Sequence, residues 1–203
     1  MNDRVSHLRT KEKIVKEFRC QTICQAAMRV LARKGFAHAT VQEIADEAGV
    51  AKGTVYLYFK SREEILDNTM EGAVKELLAR LRAAAEEGGD FSSALERVVS
   101  AQLTYFDEHQ EFFRLYVVMA EPAGERRMRK HASYRTHIAQ LVSLIASAAA
   151  RGQIRVADHE RLAIAIASVT RDIVLQRMTE KTPPPIGEDV RFVRDFICRG
   201  MQS

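Results

Sequence analysis

Lys52, Gly53, Thr54, Tyr56 and Leu57, with Gln42 ten residues upstream, carry the groups best suited to meeting a nucleic acid. At about 100° per residue, Val55 and Phe59 share one helical face. Gly53 and Leu57 point the opposite way, with Thr54 and Tyr56 on the flanks. The outer face thus presents small, hydroxyl and aromatic groups instead of a row of charges. Gly53 leaves room for close approach to a backbone. Thr54 can meet a phosphate or a thymine methyl, and the Tyr56 hydroxyl can donate to a phosphate. Lys52 stands in the first turn, where helix amides also attract phosphate. Tyr56 and Lys52 suit phosphates, whereas Gln42, Thr54 and Leu57 suit base edges.

These groups need two short helices held at a fixed angle. Thr40-Val41-Gln42-Glu43 has the form of a capping box, which predicts a helix from Thr40 with Ile44, Ala45 and Ala48 as its apolar stripe. Gly49 supplies a turn position where positive φ is cheap. A second helix follows over about 52–58, completing a helix-turn-helix whose second member can enter a major groove. Ser61-Arg62-Glu63-Glu64 is a second capping box and opens a longer helix. A helical hairpin that merely packs fits the same pattern.

Residues 23–66 resemble the DNA-binding domain of the tetracycline-repressor (TetR) family. The likeness runs without a gap from Ile23-Cys24-Gln25-Ala26-Ala27-Met28 through Gly35-Phe36, Thr40, Ile44-Ala45, Ala48-Gly49-Val50, Gly53-Thr54-Val55-Tyr56, Tyr58-Phe59 and Ser61 to Glu63, Ile65 and Leu66. Ala51 stands where a capping Ser or Thr is usual, Arg62 replaces a Lys, and Cys24 replaces a Leu. The resemblance implies an all-α protein of about nine helices. Its parts are a three-helix helix-turn-helix domain with a basic N-terminal extension over 1–62, and a helical regulatory and dimerisation domain over 63–203. It also implies a DNA-contacting set of Thr40, Gln42, Lys52, Gly53, Thr54, Tyr56, Leu57, Tyr58 and Arg62.

Composition agrees with that class. The chain has 203 residues, 46% of them hydrophobic, no tryptophan and four prolines, so a packed helical core is expected. Residues 1–62 carry a net charge of +6 and the remainder −2, the asymmetry of a DNA reader joined to a separate body. No apolar run approaches the ~18–20 residues of a membrane span, and the polar N-terminus lacks a signal core. The expected location is the cytoplasm, with no membrane partner. The three cysteines and six histidines show no zinc spacing, so no metal and no cofactor are expected. His131 and His137 read as ordinary surface or pocket residues. Gly-rich phosphate loops, nucleophile elbows and metalloprotease motifs are absent, which argues against an enzyme.

The first helix is predicted over 11–34, ending at Gly35. Arg4, Arg9, Lys11, Lys13, Lys16 and Arg19 make residues 1–19 either a basic arm reaching phosphates or a solvated terminus. A helix over 61–87 leaves the DNA-binding part without a linker, so it can carry a shift between domains. Further helices are predicted over about 91–108, 111–121, 125–151, 158–180 and 188–200. The helix at 158–180 is apolar on every side, which predicts burial all round and a partner surface. Leu162, Ile166, Val169, Ile173, Phe192 and Phe196 are the expected contacts of a two-fold homodimer on a palindromic operator. Gln102, Phe106, Phe113, Tyr116, Met119, Tyr134, Ile138 and Arg171 are the expected lining of a mostly apolar effector pocket. The function expected is that of a repressor released by an unidentified small molecule. The alternative is a DNA-binding factor that answers to a protein partner or acts architecturally.

Overall fold

The computed structural model describes residues 2–35, 38–110, 113 and 125–200, with side chains of 2–12 and 125–131 left aside. Every regular element among these residues is an α-helix: α1 Asn2–Lys34, α2 Val41–Glu47, α3 Lys52–Tyr56, α4 Arg62–Glu86, α5 Phe91–Glu108, α6 Glu125–Ala150, α7 His159–Thr179 and α8 Ile186–Gly200. The helix expected over 111–121 lies outside the described residues, apart from a helical Phe113.

Two compact units divide inside α4, between Ala73 and Val74. The reason is packing. Ile65, Leu66, Thr69 and Ala73 of α4 are buried with the first unit. In that unit α1 packs on α2 and α2 on α3. Its core is Ile23, Ala26, Ala27, Val30 and Leu31 of α1, Ile44 and Ala45 of α2, Val55 of α3 and Phe59 just beyond it.

α1 begins at Asn2, nine residues earlier than the apolar pattern predicts. No glycine or proline interrupts residues 2–34, and local propensity extends the helix beyond its buried part. Residues 13–19 are exposed on all sides, including Ile14, Val15 and Phe18.

In the second unit α5 packs against α6, α7 and α8, and α7 against α6 and α8. Asp90 caps α5 by accepting from the Ser93 amide at 2.8 Å, and Asp158 caps α7 by accepting from Arg161 at 3.0 Å. Arg97 closes the other end of α4, donating to the carbonyls of Ala84 (3.0 Å) and Gly88. A cation there suits the negative end of the helix dipole.

Arg177 ties three helices together. Only 5% exposed, it donates to both carboxylate oxygens of Asp107 on α5 (3.2 and 2.6 Å). It also donates to the Pro184 carbonyl (2.7 Å) and to Asp189 on α8 (2.5 Å). α7 is unevenly buried within the single chain. One face is buried (Ala163, Ile166, Ala167, Thr170, Val174), whereas Ile164 is 41% exposed and Leu162, Val169 and Ile173 are half-buried.

Candidate functional site

α2 is built by its ends. The Thr40 hydroxyl accepts from the Glu43 amide at 3.3 Å, and the Glu43 carboxylate accepts from the Thr40 amide at 3.0 Å, so the capping box is closed in both directions. At the far end Val50 N donates to Ala45 O (3.0 Å) and Gly49 N to Asp46 O (3.1 Å). With Gly49 at φ +66°, this is a Schellman stop, which fixes the direction in which the chain leaves for α3.

Ion pairs from α1 hold α2 in place. Arg29 and Arg33 reach the Glu47 carboxylate at 2.7 and 2.5 Å, and Lys34 reaches Glu43. The Lys34 ammonium and then the Thr40 amide and hydroxyl draw the Glu43 carboxyl down to about 2. Arg33 and then Arg29 lower Glu47 as well. Exposed pairs of this kind add little stability singly; their effect here is orientation.

α3 starts without a side-chain cap, because Ala51 has none to offer. Two buried anchors hold it instead: Val55 is 0% exposed and Phe59 3%. The opposite face is open. Leu57 is 78% exposed and Tyr56 49%, with Lys52 and Gly53 also exposed and Thr54 half-buried. A Cβ at Gly53 would meet nothing within 4 Å, so the protein's own packing does not require glycine there. Gln42 on α2 is exposed and its amide donates to Asp46 at 2.8 Å, which restrains the side chain.

The structure therefore brings Gln42, Lys52, Gly53, Thr54, Tyr56 and Leu57 to the outer side of α2 and α3. Thr40 is exposed but engaged in the cap, and Tyr58 is half-buried. Arg62 is turned in: its Nε donates to the Ala39 carbonyl at 2.7 Å, bracing the chain just before α2. Sequence reasoning missed the brace formed by α1. The signal was present as two complementary stripes, Arg29 and Arg33 four apart on α1, Glu43 and Glu47 four apart on α2.

The expected pocket residues scatter. Gln102 and Ile138 are buried and Phe106 is half-buried, whereas Tyr134 and Arg171 are exposed. Phe113 is buried but belongs to the first unit, and Tyr116 and Met119 lie outside the described residues. A hollow of about 510 Å³ in the second unit is lined by other residues, among them Arg80, Glu87, Glu96, Arg97, Ser100 and Thr104. Of the expected dimer contacts, Phe192 and Phe196 are 59% and 58% exposed and stack with ring centres 6.2 Å apart. Ile166 is 2% exposed and belongs to the core of its own chain.

No helix among the described residues is long and apolar enough to cross a membrane, and no cluster of three metal-ligating side chains occurs among them. Residues 23–69 match the family model described as bacterial regulatory proteins, tetR family. The chain is 36% identical over 78 residues to the fatty acid metabolism regulator protein of Bacillus subtilis, a stretch covering 38% of this chain and 40% of that one. It thus spans less than half of that relative's length. Among solved structures, a TetR family transcriptional regulator from Thermus thermophilus is similar, with TM-score 0.68, 27% identity, and 89% of this chain and 99% of that one covered. A transcriptional regulator from Bacillus subtilis, solved in complex with stearoyl-CoA, shares the fold at TM-score 0.76 and 21% identity, over 90% of this chain and 99% of that one.

Proposed function

We propose that this chain, whose residues 23–69 place it in the tetR family of bacterial regulatory proteins, is a dimeric reader of double-stranded DNA released by an apolar small molecule. The observation that carries the reading is the outward face of α3. Exposing Leu57 and Tyr56 while Val55 and Phe59 anchor the helix from behind costs apolar burial. A leucine side chain is worth roughly 1.5–3 kcal/mol when fully buried. A thymine methyl and a phosphate are the contacts that would make use of this face.

The stacked, exposed Phe192 and Phe196 on α8, with the half-buried Leu162, Val169 and Ile173 of α7, support a second copy as partner. Two copies related by a two-fold axis would present two α3 helices to a palindromic operator. The names of two similar proteins, a fatty acid metabolism regulator and a regulator bound to stearoyl-CoA, support an effector with a long apolar part. α4 runs unbroken from Arg62 to Glu86, across the division between units, and is the element through which an effector would bias DNA binding.

Footprinting combined with sedimentation tests this reading. Protection of a symmetric site by a dimer is the expected result. A monomer at micromolar concentration, or binding without sequence preference, would overturn it. A Phe192→Asp, Phe196→Asp variant should be monomeric and lose operator binding together with dimerisation.

A further inference from the structure

Two polar side chains of α6 break the usual rule of buried hydrogen bonding. His137 and Gln140 lie three residues apart, about one helical turn. Both ring nitrogens of His137, and Oε1 of Gln140, are buried with no hydrogen-bond partner among the described residues. Native interiors pair nearly all such atoms, because an unpaired one costs stability that an apolar side chain in its place would not. Ile138, Leu141, Leu144 and Ile145 on the same helix are buried and apolar.

The orientation of the Gln140 amide is determined. Its Nε2 donates to the Leu78 carbonyl of α4 at 3.2 Å, and the flipped amide would set oxygen against oxygen. Oε1 is therefore the atom left over, and it can only accept. His137 is held uncharged by burial, its pKa lowered to about 4, with no charged side chain among the causes. A neutral ring offers one donor and one acceptor. Facing a ligand with its N–H, His137 donates while Gln140 accepts.

We propose that His137 and Gln140 are the polar anchor of the effector site, and that they select a ligand whose apolar body carries an uncharged hydroxyl or carboxamide group. Such a group accepts from the His137 N–H and donates to Gln140 Oε1. An ester lacks the donor. A carboxylate lacks it too, meets the Gln140 oxygen as a like partial charge, and finds no described cation here. This assignment rests on the ligand-controlled reading above and adds the chemical class.

The test titrates the full chain calorimetrically with 1-decanol, decanamide, methyl decanoate and decanoate. The alcohol and the amide should bind roughly tenfold more tightly than the ester and the acid, the worth of about one hydrogen bond. In His137→Phe and in Gln140→Leu that preference should fall to less than about twofold, with thermal melts showing that both variants are folded. The wild-type ranking alone decides the matter should a variant fail to fold. Ester or acid binding as tightly as the alcohol overturns the proposal, as does a preference that survives both substitutions. If all four compounds bind alike, the anchor is refuted and the apolar effector stands. If none binds, both are refuted.

Discussion

The α2–α3 region and the α5–α7–α8 region treat polar groups in opposite ways. In the first, both ends of α2 are tied, by the Thr40–Glu43 box and the Schellman stop at Gly49, while Tyr56, Leu57 and Lys52 face outward. In the second, a guanidinium is taken inside and surrounded: Arg177 has two carboxylates and a carbonyl as partners. A contact surface is thus made by fixing the backbone and leaving side chains unused. A permanent junction is made by engaging all three guanidinium nitrogens. The His137 ring nitrogens and Gln140 Oε1 follow neither pattern, being inside yet without a hydrogen-bond partner among the described residues.

Removing the Arg177 junction should produce the largest effect. Arg177→Met leaves Asp107 and Asp189 without their counter-charge and should cost about 3–5 kcal/mol in a denaturant melt. The triple replacement of Arg177, Asp107 and Asp189 by apolar residues of similar size should recover most of that loss. A loss below about 1 kcal/mol for Arg177→Met would put the junction on a level with an exposed pair and dissolve the contrast.

Acid should come next. The unfolded chain takes up a proton at His137 near the ordinary value of 6.5, whereas the folded chain resists until about 4. Stability therefore falls as pH drops through that window, by roughly 3 kcal/mol at the bottom of it. Denaturation curves for His137→Phe should lack this slope between pH 6.5 and 4. A slope unchanged in the variant would mean that the imidazole is not shielded. Glu43 acts in a separate window: its stabilising charge is present above about 4.5 and is lost as pH falls through about 2.

Breaking the cap is smaller. Thr40→Ala removes the acceptor for the Glu43 amide and should cost about 1 kcal/mol. The smallest change in stability, and of opposite sign, is expected at Gly53. Gly53→Ala meets open space and should stabilise the protein by roughly 0.5–1 kcal/mol while weakening operator binding, measured by melting and by gel shift on the same sample. Gly53→Ala with unimpaired DNA binding would remove this position from the contact face.

The helix-turn-helix was legible because its signals are local. A capping box, a glycine at a turn and an apolar pair four residues apart each act within one or two turns of chain. The hydrogen bond of Arg62 was not legible because its partner, the Ala39 carbonyl, lies 23 residues away and is a backbone atom that no side-chain pattern reveals. The start of α1 was missed because the pattern reports burial, and residues 13–19 form helix without being buried. On α7 an apolar sequence all round could not say which face turns inward, so Ile166 and Ile173 looked alike. The structure puts Ile166 in the core and leaves Ile173 half-buried. The exposure of Tyr134 and Arg171 was not legible either, because clustering of residue types along a chain does not say which way each side chain faces.

The grip of α1 on α2 also changes what composition says about salt. Arg29, Arg33 and Lys34 are engaged by the two carboxylates of Glu47 and Glu43, whereas Lys52 and Lys60 are exposed without an ion-pair partner among the described residues. Only cations that meet phosphate expel condensed counterions from the duplex, at about 0.9 ion per phosphate neutralised. The logarithm of operator affinity against the logarithm of salt should therefore fall less steeply than the 12 Lys and Arg of residues 1–62 suggest. Disrupting the grip with Glu47→Gln should steepen it, as guanidinium groups freed from α2 become available to the DNA backbone.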